Sequence, residues 1–84
     1  METKIEMKGH VDYWRKDRGF GFIYDAEKKT RYFGHISAVV GGKIPQTGNL
    51  VEFEPGQTQR GLCAINIRVI DYAEVVAEMF KAGQ

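Results

Sequence analysis

Arg18-Gly19-Phe20-Gly21-Phe22-Ile23 sets phenylalanines and glycines in strict alternation, and Tyr24 continues the pattern. Successive side chains of a strand point to opposite faces, so Phe20, Phe22 and Tyr24 share one face while Gly19, Gly21 and Ile23 share the other. Glycine inside a strand costs entropy and marks a place where a ligand or another backbone comes close. Tyr32-Phe33-Gly34-His35 repeats the design, with Phe33 and His35 on one face and Gly34 opposite. Two such strands side by side make an aromatic platform, and bare rings without bulk beside them favour a flat partner. Ile23 belongs inward, which sends Phe20 and Phe22 outward.

Working outward, turn residues cut the chain into short segments of strand-like composition. Expected strands run roughly over Lys8–Arg15, with Val11 and Tyr13 on one side, Gly19–Asp25, Thr30–His35, Val51–Glu54 and Leu62–Ile70. The fourth has Val51 and Phe53 inward and stops at Pro55-Gly56. The fifth places Cys63, Ile65, Ile67 and Val69 on its core face. Between the third and fourth, Gly41-Gly42, Pro45 and Gly48 mark a long irregular connection over 36–48. Five short strands with no internal helix read as a small all-β barrel. Only the tail changes period: Tyr72, Val75, Val76, Met79 and Phe80 fall at i, i+3, i+4, i+7 and i+8, and Asp71 with Glu74 has capping-box spacing. This predicts a short C-terminal α-helix over Tyr72–Ala82. The division is a barrel domain over 1–70 and a helical extension over 71–84, whose apolar stripe packs on the barrel, mediates a dimer or leads into a larger protein.

Eighty-four residues, 43% of them hydrophobic, allow one small domain. A lone cysteine, Cys63, excludes an internal disulfide and fits a reducing compartment. The charged start Met-Glu-Thr-Lys-Ile-Glu leads into no apolar run, so neither a signal peptide nor a membrane span is expected and the cytoplasm is the expected location. Net charge is +1, against a uniformly basic surface, yet residues 1–50 carry nine Lys/Arg against six Asp/Glu while 51–84 carry three against five. The aromatic half is the basic half. No paired carboxylates, phosphate loop or triad stands at usable spacing, so the chain does not read as an enzyme. His10 and His35 lack ligand spacing, and Cys63 has no base placed near it, so neither a metal nor a cofactor is expected.

Over roughly residues 8–70 the chain resembles the cold-shock domain, a five-stranded antiparallel OB-fold barrel that binds single-stranded nucleic acid. The resemblance rests on Arg18–Ile23 and Tyr32–His35 as its two motifs, on Gly9 and Val11, on Ser37-Ala38, on Val51-Glu52-Phe53, and on Arg60-Gly61, Ala64 and Asn66, all in order. It implies base stacking on Tyr13, Phe20, Phe22, Phe33 and His35, with Arg18 and Arg60 as backbone-facing cations and Trp14 next to the platform. Lys8, Arg15, Lys16, Lys29 and Arg31 are further candidates for phosphate contact. The implied partner is single-stranded RNA or DNA, the implied role a nucleic-acid chaperone or a regulator of transcription or translation. A monomer is expected, with a dimer through the C-terminal helix as the alternative. The competing function is a protein-interaction module using that helix. Four positions depart from the family pattern: Tyr13 stands where Trp is usual, Asp12 where Lys is usual, Ile36 where an aromatic comes after the motif His, and Cys63 where a polar residue is usual. Together they imply weaker binding or altered base preference.

Overall fold

The computed structural model describes residues 6–71. Five strands, β1 (Met7–Arg15), β2 (Phe20–Asp25), β3 (Thr30–His35), β4 (Leu50–Thr58) and β5 (Gly61–Val69), close into a barrel in the order β1-β2-β3-β5-β4. A 3₁₀ turn over Ile36–Ala38 comes directly after β3. The helix expected over Tyr72–Ala82 lies outside the described residues.

The barrel is not wholly antiparallel, contrary to the expectation from the resemblance. β1–β2, β2–β3, β1–β4 and β4–β5 are antiparallel, but β3 and β5 run parallel, joined at Phe33↔Cys63 and prolonged by a parallel bridge between Val39 and Ile67. The reason is parity. Directions cannot alternate all the way round a closed ring of five strands, so one neighbouring pair must be parallel. The long connection over 36–49 makes this possible by carrying the chain from β3 to β4 on the far side of β1.

Alternation places Val11, Ile23, Tyr32, Val51 and Phe53 inward, where with Met7, Trp14, Ala64 and Ile67 they form the core. Tyr32 stacks at a tilt on Phe53, centroids 5.0 Å apart, and its hydroxyl donates to Met7 Sδ at 3.7 Å.

Two bulges break the alternation expected from sequence. In β1 the register shifts between Val11 and Tyr13, so Val11 is buried while Tyr13 turns outward and is 45% exposed. Trp14 turns inward. Backbone groups at the bulge bond to the incoming loop: Val11 N–H donates to Asn49 O, Gly48 N–H to Val11 O, both at 2.7 Å, and Trp14 N–H to Thr47 Oγ1 at 3.2 Å. In β5, Asn66 adopts a left-handed φ of 50° and the register against β4 shifts between Glu52 and Glu54. Asparagine tolerates that conformation better than most residues. Ala64 and Ile67 consequently face the core, while Ile65, expected inward, is 40% exposed and Cys63 is only half-buried.

β4 also runs through Pro55-Gly56 rather than stopping there, pairing Pro55 with Ala64 and Gly56 with Cys63. β1 accompanies β4 only as far as Phe53, so beyond that point one edge of β4 has no strand neighbour among the described residues. A residue without an N–H is tolerated on such an edge.

The β2–β3 turn is shaped by a buried carboxylate. Asp25 Oδ1 accepts from Glu27 N–H at 3.0 Å and Lys28 N–H at 3.3 Å. Asp25→Ala is expected to cost about 1 kcal/mol of stability in urea unfolding, because the turn loses both acceptor contacts. Asp25→Asn, which keeps an accepting oxygen, is expected to lose less. An Asp25→Ala protein as stable as the parent would refute this role.

Candidate functional site

The outward face of β1, β2 and β3 carries the rings. Cross-strand pairing sets Phe20 opposite His35, Phe22 opposite Phe33, and Tyr24 opposite Arg31. Phe33, 39% exposed, is the hub: its centroid lies 5.8 Å from those of Phe20, at 33°, and Phe22, at 70°. Tyr13 borders Phe22 from β1, and Tyr24 meets His10 edge-on at 5.7 Å.

The glycines between the rings answer to the other side of the sheet. A Cβ added to Gly21 would lie 2.1 Å from the Tyr13 carbonyl oxygen and 2.6 Å from Trp14 Cε3, and one added to Gly34 would lie 3.1 Å from Ile67 Cδ1 and 3.5 Å from Trp14 Cζ3. The close approach that a strand glycine signals is here made by another backbone and by the Trp14 indole. Trp14, expected next to the platform, therefore sits beneath it in the core, 7% exposed, because the β1 bulge reverses its side.

His35 is held in place by Ser37, two residues further along the chain. The imidazole Nδ1 accepts from Ser37 N–H at 3.1 Å and lies 2.9 Å from Ser37 Oγ. Assigned from that amide, the neutral ring carries its proton on Nε2, which gives the platform rim a donor. Gly19, at a φ of 71° that favours glycine, ties the β1–β2 turn to the end of β3 through Ile36 N–H donating to Gly19 O at 2.8 Å. This brings the turn that carries exposed Arg18 to the end of the platform at the Phe20↔His35 pair. Ile36 packs against Gly19 there and is 37% exposed, an apolar edge in place of a ring.

The β4–β5 hairpin forms a wall. Thr58, Gln59, Arg60, Gly61 and Leu62 enclose, with Phe22 and Phe33, a cleft of about 650 Å³. Arg60, expected as a backbone-facing cation, is part of this wall. Leu62 was not anticipated: its position next to the hairpin turn, opposite Gln57, leaves it exposed as an apolar side of the cleft. The parallel Phe33↔Cys63 pairing that brings this hairpin to β3 has no local signature in the sequence.

The cations divide by partner. Arg15 Nε and Nη2 donate to Asp17 Oδ1 and Oδ2 at 3.3 and 2.9 Å. The hydrogen bond from Arg15 holds the Asp17 carboxyl below its ordinary range, and the same bond raises Arg15. Arg31 pairs with Asp12, and its guanidinium carbon lies over the Phe22 ring, 5.2 Å from the centroid. Arg18 and Arg60 form no ion pair among the described residues, so their charge is the more available to a ligand anion. Among the described residues no three His, Cys, Asp or Glu side chains converge on a point that could hold a metal, and no helix is long and apolar enough to cross a membrane.

Residues 7–70 match the family model of the 'cold-shock' DNA-binding domain. Cold shock-like protein CspC of Escherichia coli K12 is 37% identical over 67 residues, covering 77% of this chain and 97% of that protein. Cold shock-like protein CspB of Yersinia pestis is 38% identical over 64 residues, 74% of this chain and 91% of that protein. Among solved structures, drosophila Unr CSD456 superposes with a TM-score of 0.68 at 26% identity, over 82% of this chain and 28% of the Unr chain.

Proposed function

The chain belongs to the cold-shock domain family, a family of nucleic-acid-binding domains, and on that premise we propose that it binds single-stranded RNA or DNA by stacking unpaired bases on Phe20, Phe22, Phe33 and His35, with Tyr13 extending the row. The observation that carries this reading is the hub at Phe33, with two further phenylalanine rings 5.8 Å away on the same outward face. Cross-strand ring pairs on the outer face add only about 0.2–1 kcal/mol each to the barrel, whereas every base has a face that stacks on them. Trp14 has no part in stacking here, because it is buried. Arg18 in the β1–β2 turn and Arg60 on the cleft wall beside Phe22 and Phe33 supply phosphate contacts, with the salt dependence such contacts bring.

Three or four stacked bases at about 1–3 kcal/mol each give about 3–12 kcal/mol gross. Micromolar affinity requires about 8 kcal/mol after the costs of ordering. Most rings must therefore engage together. A duplex hides base faces in its own stack, so binding draws the equilibrium toward the melted strand by mass action without ATP, which is the work of a nucleic-acid chaperone or of a regulator acting on hairpins. The platform reads faces rather than the 2′-hydroxyl, which leaves RNA and DNA equivalent to it. The alternative, a protein-interaction module, rests on the tail beyond Asp71.

Fluorescence anisotropy with labelled dT20, competed by unlabelled dT20 or by a 20-base-pair duplex of mixed sequence, tests this reading. The single strand is expected to compete at least about tenfold better, because the duplex offers phosphates without free base faces. Equal competition would show that charge alone holds the strand.

A further inference from the structure

Arg31 is an outward residue of β3, two positions before Phe33, and its side chain does not simply extend into water. It crosses β2, lays its guanidinium over Phe22 and bonds through Nη2 to Asp12 on β1. Asp12 is available because the β1 bulge lies between Val11 and Tyr13. The carboxylate that stands where Lys is usual is thus met by a cation, and the pair spans the platform at its middle strand. Among the described residues Asp12 engages only one nitrogen of the guanidinium. Nη2 keeps a second N–H, which together with Nε–H or Nη1–H leaves one edge of the planar fork with two parallel donors.

We propose that Arg31, oriented by Asp12, is a specificity-determining residue that reads guanine at the base seated on Phe33. The inference rests on the stacking function proposed above. Phe33 and Phe22 are neighbours at 5.8 Å, so a base stacked on Phe33 brings an edge toward the guanidinium that lies over Phe22. Guanine presents N7 and O6 as adjacent acceptors, the edge that an arginine fork matches with two hydrogen bonds. Thymine and uracil separate their two carbonyls by an N–H, and adenine sets a donor beside N7. None of these satisfies two parallel donors. Asp12 is a positioning residue: it holds the fork across Phe22 and touches no base itself.

The test uses the full 84-residue chain and anisotropy with labelled dT7 and its single-substitution series. One position of dG is expected to tighten binding about tenfold, within the range of a bidentate arginine–guanine contact. At that position 7-deazaguanine, which lacks the N7 acceptor, is expected to return affinity to that of dT7. Arg31→Lys is expected to show no gain from dG over its own dT7 affinity, since an ammonium cannot present the fork. Asp12→Asn is expected to lose most of the gain without weakening dT7 binding. A series in which no dG position helps, in which 7-deazaguanine or Arg31→Lys keeps the gain, or in which dC gains as much as dG would overturn the proposal, and an undiminished gain in Asp12→Asn would remove Asp12 from it. Loss of dT7 binding by Phe20→Ala/Phe33→Ala with no guanine gain in the parent would sink this inference alone. Binding of dT7 indifferent to those rings would sink the stacking function beneath it.

Discussion

Phe20→Ala/Phe33→Ala is expected to weaken binding of a short pyrimidine strand by at least about thirtyfold while leaving the barrel folded. Each ring that stacks a base is worth about 1–3 kcal/mol, so two together remove about 2–6 kcal/mol, or from about thirtyfold to more than ten-thousandfold. Phe33 carries the larger part, because it touches both other phenylalanines and its loss separates them. The two rings also touch each other, so the single variants are expected not to sum to the double. Stability moves less, since neither ring belongs to the core formed by Val11, Ile23, Val51, Phe53 and Ile67. Anisotropy reads the first effect and urea unfolding the second. Affinity within about twofold of the parent, in a protein with an intact unfolding transition, would end the stacking proposal. Trp14 emission suits the folding measurement, because the indole is buried.

Gly21→Ala is expected to cost at least about 3 kcal/mol, at or beyond the upper end for one added methyl group in a packed interior. The methyl would sit 2.1 Å from the Tyr13 carbonyl oxygen and 2.6 Å from Trp14 Cε3. The first of these is backbone in a paired strand, so relief requires prising β1 from β2 at the Trp14↔Gly21 pair. Against a total stability of about 5–15 kcal/mol for ordinary domains, such a loss leaves a barrel this small close to unfolding. Gly42→Ala is the control. Nothing lies within 4 Å of a Cβ there, and only its φ of 81° resists the change, so a cost of about 1–2 kcal/mol is expected. Urea midpoints monitored by Trp14 emission compare the two. A Gly21→Ala protein no less stable than Gly42→Ala would show that the β1–β2 contact is looser than the structure has it.

Gly21 and Phe22 also show why much of the site was legible before any coordinates. The two-residue period of a strand follows from backbone stereochemistry, so the sidedness of Phe20-Gly21-Phe22-Ile23 and of Phe33-Gly34-His35 could be read residue by residue, and both stretches fold that way. Tyr13 and Trp14 could not be sorted by period alone. Their sides depend on a bulge supported by Thr47, Gly48 and Asn49, more than thirty residues away in sequence. Ile65 failed for the same reason, since the turn at Asn66 takes its meaning from the register against Glu52 and Glu54. Arg31 shows a nearer miss. Alternation already placed it on the face of Phe33 and His35, but its reach across β2 to Asp12 depends on three strands lying side by side.

By itself, then, the order of residues determined the strand count, the outward rings on β2 and β3, and the inward set of Ile23, Val51 and Phe53, because each arises from local alternation and from turn residues acting over a few positions. Only the tertiary structure decided that Trp14 lies beneath the platform rather than on it, that β3 and β5 run parallel, that Leu62 and Arg60 wall a cleft beside Phe33, and that Asp12 holds Arg31 over Phe22. These depend on which strands become neighbours and in what register when the barrel closes. That choice minimises the free energy of the whole chain, and no window of neighbouring residues contains it.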